Sequence, residues 1–111
     1  MKSKDTIYRG ECTPDEMDWQ VTVDNKHLNP RLDLSNHSPD GFSWGYSGSG
    51  PAQCALAILA DYFQDDERAQ YFYQEFKAAY LAKIDSNRCW LLTGEQLEVV
   101  MDNINPLWRE K

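Results

Sequence analysis

The stretch Gly45-Tyr46-Ser47-Gly48-Ser49-Gly50-Pro51 is rich in glycine and runs straight into an apolar helical pattern. A helix N-terminus presents unpaired amides and the positive end of its dipole, so such a loop can cradle a phosphate or carboxylate. In that arrangement Ser47, Gly48, Ser49 and Gly50 would hold the anion, Trp44 or Tyr46 would stack on the ligand, and Arg31 would supply a cation if the fold brings it near. The loop lacks the Lys-Ser/Thr ending of a Walker A loop and does not fit the G-x-G-x-x-G dinucleotide spacing. The competing reading is structural: the glycines let a bulky aromatic loop turn tightly onto the helix.

Other chemistry is weaker. Gly45-Tyr46-Ser47-Gly48-Ser49 approaches the G-x-S-x-G nucleophile elbow but has Ser49 where the last glycine belongs, and both histidines, His27 and His37, precede it in turn-like segments. Asp33, Asn36, His37 and Asp40 are compatible with a divalent metal, yet no spacing marks a known site, and they read more simply as turn residues. Asp65-Asp66-Glu67 suits a helix start better than a general acid/base pair. Cys12, Cys54 and Cys89 are an odd count at wide spacing, without C-x-x-C, which argues against a zinc module or a disulfide scaffold and for reduced thiols. No catalytic set, metal site or cofactor is expected, and the balance points away from an enzyme.

The elements that would position these residues fall into two halves. Asp18-Trp19-Gln20-Val21-Thr22-Val23 alternates and puts Trp19, Val21 and Val23 on one face of a strand. Asp24-Asn25 supplies a turn toward Lys26-His27-Leu28, and Thr6 to Gly10 is a further strand. Phe42 to Tyr46 also alternates and could add a short strand. Ala52, Ala55, Leu56, Leu59, Tyr62 and Phe63 then follow helical spacing, with Ser49 as a capping candidate before Pro51. Asp65 or Asp66 can cap a second helix whose stripe is Ala69, Phe72, Tyr73, Phe76, Ala79 and Tyr80. Thr93-Gly94-Glu95-Gln96 has capping-box form and opens a third, lined by Leu97, Val100, Met101 and Ile104 and ended by Asn105-Pro106. Cys89 to Leu92 reads as a buried strand or an extended connector.

The 111 residues suit one domain. Hydrophobic residues make up 41% of them, 13% of the chain being aromatic, too many for a disordered chain. A net charge of −7, from 18 acidic and 11 basic residues, excludes nonspecific nucleic-acid coating, which rests on clustered phosphate contacts. No apolar run approaches the roughly 18 residues that span a bilayer, and Met1-Lys2-Ser3-Lys4-Asp5 opens no signal-peptide core. A soluble cytoplasmic protein is expected.

The string Gly41-Phe42-Ser43-Trp44-Gly45-Tyr46-Ser47-Gly48-Ser49-Gly50-Pro51-Ala52-Gln53-Cys54-Ala55-Leu56-Ala57-Ile58-Leu59, preceded by Asn29 to Pro39, resembles the signature of a small domain family of unknown function found in bacterial, plasmid and phage proteins. The similarity runs from Tyr8 to Thr93, and it departs at Ser47 and Cys54. It implies a single domain of bacterial or phage origin and brings no catalytic residues with it.

The expectation is therefore one α+β domain over residues 1–111: a small antiparallel sheet from residues 6 to 28, extended by segments near 42–46 and 89–92, packed on helices near 51–63, 66–83 and 94–104. The function expected is that of a noncatalytic acidic binding module of phage or mobile-element type, with a protein partner such as a host defence or nucleic-acid-processing protein. The alternative is an anionic-ligand protein or enzyme built on loop 45–51. A homodimer through Tyr71, Phe72, Tyr73 and Phe76 stays open, as does whether Leu107 and Trp108 fold back or await a partner.

Overall fold

Alternation in the first half becomes a sheet that buries one face. The computed structural model describes residues 1–110. In it, β1 (Ile7–Thr13) pairs antiparallel with β2 (Asp18–Val23), and β2 with the short β3 (Lys26–His27), through a turn whose Asp24 and Asn25 both have positive φ. That left-handed pair matches the twist of a two-residue hairpin. β4 (Trp90–Thr93) joins the other side of β1, giving the order β3-β2-β1-β4. Tyr8, Val21, Val23, Trp90 and Leu92 point inward, whereas Arg9, Glu11, Gln20 and Leu91 face out.

Three helices cover the inner face: α1 (Ser49–Phe63), α2 (Asp66–Ala79) and α3 (Gly94–Ile104). The stops and starts follow local chemistry. Gln64 closes α1 in the left-handed conformation, the Asp65 carboxylate accepts the Arg68 amide at 3.0 Å to cap α2, and Thr93 with Gln96 forms the full capping box of α3. Three boundaries differ from expectation. The segment 42–46 is a loop, because Gly41 and Gly45 at φ +128° and +91° turn the chain out of extended geometry. Ser49 is already helical; the cap is Gly48, with no side-chain bond. The second helix ends at Ala79, and Leu81–Lys83 forms a separate 3-10 turn.

The buried apolar side chains form one cluster centred on α1. At its sheet side Trp90 lies flat over Gly10, where a Cβ would come within 2.1 Å of the indole Nε1. The indole also meets Trp44 and Tyr80 edge-on. Gly10→Ala should therefore cost roughly 1 to 3 kcal/mol through overpacking, read as a lower urea midpoint. The double variant Gly10→Ala/Trp90→Leu should be no less stable than Trp90→Leu alone; additive losses would mean that the clash is not the cause.

Candidate functional site

The glycine loop folds over its own helix. Trp44 is fully buried and donates from its indole to the Arg88 carbonyl at 2.9 Å, while the Gly45 amide donates to the Leu81 carbonyl. Tyr46, half exposed, lies across Gly48, and its hydroxyl meets the Ser43 hydroxyl at 2.7 Å. A Cβ on Gly50 would sit 1.7 Å from Ser43 Oγ. Ser43 and Tyr46 thus occupy the ground beside the start of α1, and Gly48 and Gly50 are small because those side chains are there.

Arg31 is not brought to this loop. Its guanidinium forks onto Asp66 at 2.8 and 2.9 Å and onto Asp33 at 3.1 Å, beside the C-terminal half of α1. These hydrogen bonds hold the Asp66 and Asp33 carboxyls below the usual aspartate range. His37 is spent elsewhere again: its Nε2 lies 2.7 Å from the Tyr73 hydroxyl and 3.1 Å from Ser35 Oγ. Gln53, fully buried on α1, ties the first part of the 29–48 segment to the helix. Its carbonyl accepts the His37 and Ser38 amides at 2.8 and 3.2 Å, and its amide donates to the Pro30 carbonyl at 2.6 Å.

Three carboxylates, those of Asp61, Glu98 and Asp102, are tied to neighbouring segments. Asp61 accepts from Lys2 Nζ at 2.9 Å and the buried Tyr8 hydroxyl at 2.7 Å. Buried Glu98 accepts from the Tyr62 hydroxyl and from Arg109. Trp108 folds back onto the core, stacking on Phe63 with ring centroids 5.3 Å apart and donating to Asp102 at 2.8 Å, while Leu107 stays exposed. The Trp108 bond, and after it Arg109, keeps the Asp102 carboxyl low.

What the fold leaves open is an edge. β4 ends the sheet, and beside its outer side Tyr80, Leu91, Leu92, Glu95, Gln96, Val99 and Val100 line a mostly apolar groove of about 480 Å³. Leu91 and Val99 are 44% and 55% exposed there. The sequence carries a signal for it in the doublets Leu91-Leu92 and Val99-Val100: a strand or helix with one buried face cannot bury both members of an adjacent pair. Of the aromatics considered for self-association, Phe72 and Phe76 are in the core, Tyr73 is half buried against His37, and Tyr71 is exposed. Among the described residues no three His, Cys, Asp or Glu side chains are grouped to hold a metal, and no helix is long and apolar enough to cross a membrane.

Residues 8–103 match the sequence profile of a family of unknown function, DUF6166. The chain belongs to that family. The match spans β1 to α3, so the Gln53 clamp, the Trp90–Gly10 contact and the groove all lie within the part of the DUF6166 chain that defines membership, and Trp108 lies outside it. No curated protein and no solved structure matches it significantly.

Two outcomes follow for this DUF6166 protein. Gln53→Ala leaves three loop groups without their partner and should cost roughly 3 kcal/mol, with faster protease cleavage inside residues 29–48 than in any helix. Because the Asp66 and Asp33 carboxyls are lowered in the fold, the stability they contribute is present above the ordinary aspartate value of 3.8 and is lost as pH falls below it. The Tm gap between wild type and Arg31→Gln should accordingly be full near about pH 6 and shrink toward about pH 2.5; a gap independent of pH would show that Arg31 acts by packing alone.

Proposed function

We propose that this DUF6166 protein is a noncatalytic binding module whose β4 edge and adjoining groove receive an extended, net-basic segment of a partner protein. One observation carries the reading: an edge strand stands directly beside an apolar groove, with Leu91 and Val99 exposed on it. An open edge offers a row of backbone donors and acceptors to an added strand, and the groove offers pockets for its alternate side chains. The net charge of −7 and Glu95 on the groove wall favour a partner of opposite charge, which speeds encounter and rejects acidic competitors. The absence of a convincing catalytic arrangement in the sequence reading supports binding rather than turnover.

In its finer form, the reading places the protein in the cytoplasm of a bacterial host, encoded by a phage or mobile element and acting on a defence or nucleic-acid-processing protein. Such partners carry the basic surfaces that bind nucleic acid, and a small acidic domain complements them. The test is affinity capture from host lysate, read by mass spectrometry beside a charge-matched acidic control. Wild type, the groove variant Leu91→Lys/Val99→Lys and the β2 variant Gln20→Lys are compared. One partner should be enriched by wild type and by Gln20→Lys, and depleted about tenfold by the groove variant. Equal capture by all three, or no enrichment over the control, would overturn the proposal.

A further inference from the structure

Two of the three thiols meet at the end of the sheet farthest from the turn between β2 and β3. Cys12 sits near the end of β1 opposite Trp19, and Gly10 pairs with Trp90 on β4. Cys89 immediately precedes Trp90 at the start of β4, at the same end of the sheet as Cys12. Both cysteines line the same surface cavity of about 470 Å³, together with Arg9, Glu11, Thr13 and Leu91, and the Cys89 side chain is close enough to the Cys12 thiol to shift its protonation. Cys89 is exposed, Cys12 is half buried, and Cys54 is fully enclosed in α1.

The segment that carries Cys89 is held from two sides. The Trp19 indole donates to the Ser86 carbonyl at 2.7 Å, and the Trp44 indole donates to the Arg88 carbonyl at 2.9 Å. Within the segment the Asp85 carboxylate accepts the Asn87 amide at 2.9 Å, and the Asp85 carbonyl accepts the Arg88 amide at 3.0 Å. Cys89 is therefore presented to Cys12 by a braced turn, and cross-linking the pair needs little loss of chain freedom beyond what folding has already removed.

We infer that Cys12 and Cys89 form a thiol modification site: a dithiol that a low-molecular-weight disulfide converts to an intramolecular bridge between β1 and the start of β4. The Cys89 thiolate attacks one sulfur of the reagent, that S–S bond breaks, and the first small thiolate leaves and takes up a proton. The Cys12 thiolate then attacks Cys89 Sγ, expelling the second small thiolate, which takes the Cys12 proton. The protein dithiol is oxidised by two electrons and the reagent is reduced to two thiols. Burial, and after it the neighbouring Cys89 side chain, raises the Cys12 thiol above its ordinary range, in keeping with Cys89 as the attacking member and Cys12 as the resolving one. Burial also raises the Cys54 thiol, which makes it an internal control.

The experiment treats the folded full chain with glutathione disulfide, blocks remaining thiols with iodoacetamide, and maps the peptides by mass spectrometry. The expected product has lost two hydrogens, carries a Cys12–Cys89 linked peptide, has lost two alkylatable thiols, and exposes Cys54 to alkylation only after denaturation. Cys12→Ser should stop at a glutathione adduct on Cys89, and Cys89→Ser should give neither adduct nor bridge. A wild-type Cys89 adduct that persists while Cys12 still alkylates, or a dimer linked through Cys89, would overturn the inference. So would a Cys12→Ser chain that forms no adduct.

Discussion

The constraint on which the molecule depends is that α1 is enclosed on every side. Thirteen of its fifteen residues are buried, and the sheet, α2 and the 29–48 segment are packed around them. A helix that is apolar all round cannot lie on a surface, and the alanines at 52, 55, 57 and 60 let its neighbours approach the backbone closely. The sheet takes one side and α2 another. The 29–48 segment lies along the helix because buried Gln53 would otherwise face an apolar interior without partners. The two ends of the chain arrive at the same place: the Lys2 amide donates to the Tyr62 carbonyl, and Trp108 stacks on Phe63.

Enclosure explains how a few of the carboxylates are used. Asp61 and Glu98 lie at the boundary of the core and are matched to tyrosine hydroxyls and to cations from the chain ends, Lys2 and Arg109. Asp66 anchors Arg31 in the same way. These carboxylates act as ties between segments far apart in sequence. What stays outward is the open face of the sheet and the β4 edge, where Leu91 and Val99 remain although the core could not use them.

Strands, caps and turns were legible in the sequence because each depends on neighbours a few residues away. The alternation of Trp19, Val21 and Val23, the Asp24-Asn25 turn, the Thr93 capping box and the Asn105-Pro106 stop all appear as their residue types dictate. Ser49 misled because a serine before Pro51 has cap chemistry, yet Gly48 takes the position when Tyr46 must pass over it. Segment 42–46 alternates as a strand would, but positive φ at Gly41 and Gly45 bends it around Ser86 and Leu81, which are distant in sequence.

The sequence by itself determined the α+β class and the order of the main strands and the three helices. Only the tertiary structure decided that Arg31 belongs to Asp66 rather than to the glycine loop, that His37 meets Tyr73, that Cys12 and Cys89 are neighbours, and that Leu91 and Val99 share a groove. The physical reason is one of range. Propensity and periodicity are written into adjacent residues, whereas the partner of a polar or thiol side chain is set by which surfaces pack together once α1 has been covered.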